Sequence, residues 1–192
     1  AAYALKMLRP DREADVAAIR LLAREALAGR SVSHPHLIAV LDSQIGRTPR
    51  FVVTPWLVGS TVASRLKRGP SLDVPAALWI ARQVAEALQA LDAEGWMHGD
   101  IKPSNVLLTR EGHATVLDLG FARRRDEMLT LDEQFLTGTG YYLAPEYFTA
   151  TLRPDIRSDL YSLGVMLYEL LACRLPLHGE SLAELAVRHK QT

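Results

Sequence analysis

The spacing of hydrophobic residues changes along the first third of the chain. A short β-type run at 3–8 ends at an Arg-Pro-Asp turn signal. From 14 to 32, apolar residues recur at helical spacing with charges between them, which predicts a helix. Two further strand-like runs follow at 37–41 and 50–54. The predicted order is therefore strand, helix, strand, strand.

After Pro55 the pattern becomes mostly helical. A short helical piece is predicted between Gly59 and Gly69. Asp73 then supplies the start signal of a long amphipathic helix that ends near Gly95.

One small hairpin interrupts this helical half. Residues 106–109 and 114–117 are strand-like runs around a glycine-containing turn. A loop-rich stretch follows, and helical spacing returns at 159–173 and again after Ser181. This order predicts two lobes joined near 54–59, with a cleft between them.

Composition and charge indicate a globular domain and narrow its partners. Of the 192 residues, 48% are hydrophobic, and 22 basic side chains balance 22 acidic ones. The net charge of zero gives no general reason to expect nucleic acid as a partner. The single cysteine, Cys173, cannot form an intramolecular disulfide, and no apolar run reaches the ~18 residues of a membrane span. We therefore expect a soluble, cytoplasmic domain, and a membrane anchor in flanking sequence stays open.

Three acceptor side chains in the middle of the chain are of the type that a magnesium–polyphosphate site requires. Asp100 and Asn105 lie on one predicted loop, and Asp118 follows the predicted hairpin. Mg²⁺ prefers hard oxygen ligands, usually one or two from the protein and the rest from phosphates and water. A further carboxylate must stay free to orient an attacking hydroxyl, and Lys102 adds a cation nearby. Each residue alone is more often a turn or capping residue, but their order and spacing together favour phosphoryl transfer.

At these motifs the sequence resembles the eukaryotic-type serine/threonine protein kinase family, in a bacterial-like form. His98-Gly99-Asp100 through Asn105 resembles the catalytic loop H-R-D-x-x-x-x-N, and Lys102 is typical of the serine/threonine variant. Further matches are the A-x-K of Ala4-Leu5-Lys6, the helix C glutamate at Glu25, the D-F-G motif at Asp118-Leu119-Gly120, the A-P-E segment at 138–146 and the helix F aspartate at Asp159.

The resemblance covers essentially the whole chain and implies an α+β, bilobal fold. A partial small β lobe with helix C would occupy 1–54, and a hinge would follow at 55–60. A mostly helical large lobe would occupy 61–192, so that the kinase-like fold is truncated at both ends.

The resemblance also implies how nucleotide and metal would be held. Lys6, paired with Glu25, would contact the α- and β-phosphates of ATP. Asp118 would bind a Mg²⁺ ion across the β- and γ-phosphates, and Asn105 would bind a second one. The cofactors implied are therefore ATP and Mg²⁺.

Further implied roles concern the acceptor and the adenine. Asp100 would accept the proton of a serine or threonine hydroxyl of a protein substrate, with Lys102 near the transferred phosphoryl group. The adenine would be bounded by Thr54 at the back of the pocket and by a hinge of Pro55, Trp56 and Leu57.

Other residues receive more local interpretations. His98 is predicted to be a structural histidine, and Cys173 a small buried residue at a helix end. The run at 123–125, three arginines, either binds a phosphate or acidic substrate or forms a solvated face. Among the threonines of the loop-rich stretch, a structural hydrogen bond is expected at Thr139 and phosphorylation at Thr130 or Thr137.

The sequence departs from the family pattern at four places. Only five residues precede Lys6, so no glycine-rich loop is present, and the chain stops at Thr192, before the last helices of the family. We therefore expect a fragment with weak or no catalysis. Gly99 replaces the arginine that usually reads activation-loop phosphorylation, which implies activity uncoupled from that switch. Gly29 replaces an apolar residue, which predicts a loosely held helix C.

Two other functions stay open. A pseudokinase or scaffold would bind partners without catalysis; the missing glycine loop and Gly99 favour it, whereas Lys6, Asn105 and Asp118 oppose it. The H-G-D-x-x-x-x-N pattern also resembles small-molecule phosphotransferases of the aminoglycoside-kinase type, although Lys102 and the A-P-E segment oppose this reading. The oligomeric state is left open.

Overall fold

A computed structural model describes residues 2–69, 71–125, 127, 140–148, 154–179 and 181–189. These residues form five α-helices and eight short strands, which confirms the predicted α+β class. The helices are α1 Val16–Ser31, α2 Val62–Arg68, α3 Val74–Ala93, α4 Ile156–Ala172 and α5 Leu182–His189. The strands are β1 Tyr3–Met7, β2 Asp42–Gln44, β3 Phe51–Pro55, β4 Ser60–Thr61, β5 Trp96–Met97, β6 Val106–Leu108, β7 Ala114–Val116 and β8 Arg123–Arg124.

The first sheet, in the order β1-β3-β2, is antiparallel and packs beside α1. Its register places Lys6 of β1 opposite the buried Val52 of β3. Few apolar side chains hold this part of the molecule. Its buried cluster consists of Leu22, Ala26, Val40 and Val52.

The chain leaves this sheet at Pro55 and enters a second sheet, β4-β6-β7, at Ser60. Helix α3 packs against β7 on one side and α4 on another, and these elements share a large continuous core. The predicted hairpin is confirmed as β6 and β7, and a third sheet pairs β5 with β8.

The long amphipathic helix begins where the sequence predicts. The Asp73 carboxylate accepts a hydrogen bond from the Ala76 N–H at 2.8 Å and caps α3. Such a cap satisfies one of the free N–H groups of the first turn, and Pro75 needs no partner there. None of the helices in the described ranges is long and apolar enough to span a bilayer.

The strand predicted at 37–41 is wrong, because β2 lies instead at the polar residues 42–44. The backbone at 37–41 is bonded to three different parts of the molecule. Ile38 N–H donates to Val116 at 2.9 Å, Val40 N–H to Gly29 at 3.2 Å and Leu41 N–H to Val53 at 2.8 Å. Leu37, Ile38 and Val40 are therefore buried where the chain crosses between the two larger sheets, whereas Leu41 is exposed. The segment forms an isolated parallel bridge from Leu37 to Val116 but no strand.

Two further predictions need correction. Cys173 is exposed, because it ends α4 in the left-handed conformation with φ 51°. Gly29 is buried in α1, and Val40 fills the place of the expected apolar side chain. A Cβ at Gly29 would lie only 3.1 Å from Val40 Cβ and would collide with Cγ2. The glycine thus permits close packing, so it gives no reason for a loose helix.

Candidate functional site

Lys6 joins the first sheet to the rest of the molecule. Its Nζ lies 2.7 Å from Glu25 Oε2 on α1 and 2.9 Å from Asp118 Oδ1, which follows β7. The side chain of Glu25 is only 6% exposed, whereas those of Lys6 and Asp118 are 50% and 39% exposed. The ammonium group therefore faces solvent between two carboxylates from different elements.

This arrangement shifts the pKa of all three groups. Burial raises the pKa of Glu25, and the Lys6 ammonium only partly opposes the rise. Burial would also raise the pKa of Asp118, but the charge and hydrogen bond of Lys6 outweigh it and hold that pKa below its usual value. Burial would lower the pKa of Lys6, yet Asp118 and Glu25 outweigh it and raise that pKa. Asp118 stays ionised under conditions that begin to protonate Glu25.

The carboxylate of Asp100 is contacted by the side chains of both Lys102 and Asn105. Lys102 Nζ lies 2.7 Å from Asp100 Oδ2, and the Asn105 amide nitrogen donates to the same oxygen at 2.8 Å and to the Asp100 carbonyl at 2.9 Å. The Asp100 side chain is 10% exposed. Two donors thus fix the orientation of a carboxylate that still reaches the surface.

The backbone of this loop is held by a buried acid on α4. Asp159, 1% exposed, accepts hydrogen bonds from the N–H groups of His98 at 2.7 Å and Gly99 at 2.8 Å. Burial raises the pKa of Asp159, and the two N–H donors oppose the rise. His98 is fully buried; its Nε2 lies 3.1 Å from the Leu117 carbonyl, and its Nδ1 accepts from the Asp100 N–H at 3.1 Å. The prediction that His98 is structural is confirmed.

Asp118 and Asn105 are neighbours through the backbone. The N–H of Leu117 donates to the Asn105 carbonyl at 2.8 Å, which places Asp118 one residue further along. Asp118 adopts the left-handed conformation, with φ 59°, and accepts from the Gly120 N–H at 3.2 Å. Aspartate tolerates this conformation because its side chain can bond to nearby backbone groups.

The donor set of these two side chains fits Mg²⁺. In the described part of the chain, no hydrogen bond engages Asp118 Oδ2 or Asn105 Oδ1, so two hard oxygen atoms are available. No group of three or more His, Cys, Asp or Glu side chains could hold a metal among the described residues. A metal here would take its remaining ligands from phosphates and water, as Mg²⁺ commonly does.

The four residues predicted to bound the adenine lie at the end of β3 and just after it. Thr54 pairs in register with Ala4, and Pro55 with Tyr3. The Trp56 N–H donates to the Ala2 carbonyl at 3.1 Å, and its side chain is exposed. For Leu57, no backbone N–H bond occurs among the described residues, so this donor is available to a ligand.

The structure describes the surroundings of the arginine run but not the threonines of the loop-rich stretch. Arg124 donates to the Glu94 carbonyl at 3.1 Å, and Arg125 lies 2.5 Å from the Asp92 carboxylate, so both connect this part of the chain to the end of α3. Both side chains are exposed as well as paired, and binding of a phosphate or an acidic substrate stays a prediction. Thr130, Thr137 and Thr139 lie outside the described residues.

Gly99, in place of the expected arginine, has a steric basis. Its φ is +78°, and a Cβ there would lie 2.7 Å from the Phe121 carbonyl oxygen. A longer side chain at this position would require both backbone strain and movement of the segment that contains Phe121.

One surface feature beside the site has no signal in the sequence. A cavity of about 380 Å³ opens next to Lys102 between α2 and α4. Two of its lining residues form a hydrogen bond, in which the Tyr142 hydroxyl donates to Glu169 at 2.5 Å. Burial is the main cause that raises the pKa of Tyr142, and the Glu169 carboxylate adds to it. The two residues are 27 apart in sequence, so their contact depends on the tertiary fold.

Comparison with known proteins gives relatives over nearly the whole chain. A probable serine/threonine-protein kinase of Clostridium perfringens is 32% identical over 98% of the chain and 27% of its own length. The serine/threonine-protein kinase PrkC of Bacillus subtilis is 31% identical over 98% of the chain and 29% of its own length. A probable serine/threonine-protein kinase of Streptomyces coelicolor is 36% identical over 97% of the chain and 28% of its own length.

The chain thus spans less than a third of each of these relatives. The family model described as protein kinase domain matches residues 1–192. Together with the kinase-like fold, this match shows that the chain belongs to the protein kinase family.

Proposed function

We propose that the chain is the catalytic part of a serine/threonine protein kinase, which transfers the γ-phosphoryl group of ATP to a hydroxyl of a protein substrate. The observation that carries the proposal is the double ion pair of Lys6, which joins Glu25 of α1 to Asp118, the residue proposed to bind metal after β7. A strand lysine with only a structural role needs one partner, whereas this ammonium is positioned between two elements and remains open to solvent.

The same geometry supports a division of the chain. We propose a small lobe over 1–54, a hinge over 55–60 and a large lobe over 61–192. In support, β3 ends the first sheet at Pro55 and β4 begins the second at Ser60.

Each proposed site residue acts by position and charge. Lys6, fixed by Glu25, would bind the phosphates, and Asp118 and Asn105 would hold the metal. Bound Mg²⁺ would neutralise the phosphate charge that develops during transfer. Thr54 and the backbone of Pro55, Trp56 and Leu57 would face the adenine.

The acceptor hydroxyl would be oriented by Asp100. Its carboxylate is held by Asn105 and Lys102, so the side chain of Asp100 is already in one orientation before the substrate binds. Lys102 would also lie near the transferred phosphoryl group. Phosphoryl transfer leaves a protein little covalent work, so positioning and electrostatic stabilisation dominate.

The experiment is transfer of labelled phosphate from Mg·ATP to a mixture of protein substrates by this chain within its intact parent protein, with phosphoamino-acid analysis. We expect serine and threonine labelling that falls about 10²–10⁴-fold in Asp100→Asn, the range for removal of a general base. Asp118→Asn should remove the Mg²⁺ dependence of nucleotide binding. Asp11→Asn, in an exposed ion pair with Arg9, is the control and should leave transfer unchanged.

Three outcomes contradict the proposal in different ways. Nucleotide binding by the unaltered protein without any transfer indicates a scaffold or pseudokinase. Labelling of an aminoglycoside or choline but of no protein indicates a small-molecule phosphotransferase. Full transfer by Asp100→Asn shows that the acceptor is oriented elsewhere.

A further inference from the structure

The position of α1 determines whether Glu25 reaches Lys6, and the adjacent residue of α1 has a distant partner. The guanidinium of Arg24 forms an ion pair and hydrogen bond with the carboxylate of Glu127, 103 residues away. The Arg24 side chain is 11% exposed and that of Glu127 is 36% exposed. A pair so shielded on one side is screened less than a surface pair.

Glu127 follows a strand that the large core holds firmly. Its N–H donates to the Arg124 carbonyl at 3.0 Å, and the Arg125 N–H donates to the Gly95 carbonyl at 3.0 Å. The Arg124 guanidinium also lies over the Trp96 ring, 5.2 Å from its centre. Together with the bonds from Arg124 and Arg125 to the end of α3, these contacts fix the backbone that carries Glu127.

We propose that Arg24 and Glu127 are positioning residues, whose ion pair fastens α1 to the segment after β8 and so holds Glu25 against Lys6. This inference rests on the proposed function. In this proposal the arginines of the run at 123–125 act indirectly, since Arg124 and Arg125 anchor the backbone that carries Glu127. The carboxylate of Glu127 is a permanent negative charge beside α1. The chain has no room for an arginine at Gly99, so this charge is bound by Arg24 instead.

The central test is Glu127→Gln, which keeps the size of the side chain and removes its charge. We expect the Kd for Mg·ATP to rise and kcat to fall by about three- to tenfold each, the range for losing a partly shielded pair. Hydrogen exchange of the α1 amides should become faster. The matched control is Asp42→Asn in β2, which breaks the exposed ion pair of Asp42 with Arg30 of α1 and should leave all three measurements unchanged.

The charge reversal Arg24→Glu with Glu127→Arg separates positioning from a general structural role. Partial recovery of nucleotide affinity and α1 protection in the double variant supports the proposal. Unchanged exchange and affinity in Glu127→Gln overturn it. A lowered Tm with no recovery in the double variant overturns it as well, because the pair then serves folding alone.

The measurements also distinguish this inference from the function on which it rests. If the unaltered protein transfers no phosphate, the proposed function fails, while hydrogen exchange still reports on the ion pair. If the unaltered protein is active and Glu127→Gln matches it in all three measurements, only the positioning role fails.

Discussion

The two sides of the candidate site are built in different ways. On one side, the loop carrying Asp100 and Asn105 rests on the buried Asp159 and on the large core of α3, α4 and the hairpin. On the other side, the sheet that carries Lys6 packs on α1 through a smaller cluster of four buried apolar residues, although the end of α1 also joins the large core. The outward residues of β1 are exposed there; they are Tyr3, Leu5 and Met7.

This contrast indicates what each side contributes. Buried hydrogen bonds and dense packing make the loop that carries Asp100 and Asn105 part of the stable core, so its geometry and the stability of the fold are linked. The Lys6 side has the smaller apolar cluster, and the position of the Lys6 ammonium group depends on ion pairs whose strength varies with charge and pH. Damage to the first side should therefore unfold the protein, and damage to the second should weaken nucleotide binding while leaving the fold intact.

The largest effect is expected from Asp159→Ala. The change leaves the N–H groups of His98 and Gly99 buried without an acceptor, at a cost of about 1–3 kcal/mol for each group. We expect the free energy of unfolding to fall by about 3–5 kcal/mol, measured by urea denaturation. Asp159→Asn keeps one acceptor oxygen and should lose clearly less. Equal losses in the two variants would show that the hydrogen bonds do not account for the effect.

A smaller effect is expected from acid on the Lys6 side. Burial raises the pKa of Glu25 above its ordinary value of 4.5, so the carboxylate takes up a proton at a higher pH than a free glutamate does, while Asp118, whose pKa is lowered, remains ionised. Loss of the Lys6–Glu25 pair should weaken Mg·ATP binding about three- to tenfold as the pH falls through the raised pKa, measured by calorimetry in a series of buffers from neutral pH downward.

The fold should survive this titration. A raised pKa means that the folded chain binds the proton more tightly than the unfolded chain, so the contribution of Glu25 to stability is present at low pH and is lost as the pH rises through the folded pKa. Glu25→Gln is the control, because it lacks the titrating carboxylate, whereas the titration of the nucleotide itself is the same in both experiments. An identical pH profile in the variant would show that another group controls nucleotide binding.

The sequence predicts the side of the site that rests on the large core better than it predicts the Lys6 side. The α3 cap at Asp73, the β6–β7 hairpin and the buried His98 depend on local spacing and on residue types with few alternatives, and the structure agrees with each. The convergence of Lys6, Glu25 and Asp118 was expected only through the resemblance, because residues 112 apart in sequence leave no local pattern.

The errors have a shared physical origin. The apolar pattern of residues 37–41 predicts a strand, yet Leu37, Ile38 and Val40 are buried where the chain crosses between sheets. The polar β2 at 42–44 has no such pattern, since it lies at the edge of its sheet. Cys173 and Arg124 likewise owe their surroundings to a helix end and a distant carbonyl, neither of which is visible in residue type.

The smallest changes in the free energy of unfolding are expected from two helical glycines, one on each side of the site. Alanine in place of glycine stabilises a helix interior by about 1 kcal/mol when space allows. Gly164 in α4 has no neighbouring atom within 4 Å of a new Cβ, so Gly164→Ala should raise the free energy of unfolding by about that amount.

Gly29→Ala should have the opposite sign, because the new methyl group collides with Val40 in the four-residue cluster, and overpacking costs about 1–3 kcal/mol. Thermal denaturation of both variants measures the difference. Since Val40 lies between α1 and β3, Gly29→Ala should also weaken Mg·ATP binding by moving Glu25, whereas Gly164→Ala should not. Stabilisation by both substitutions would show that the small cluster accommodates a methyl group and that the collision with Val40 is relieved by local movement.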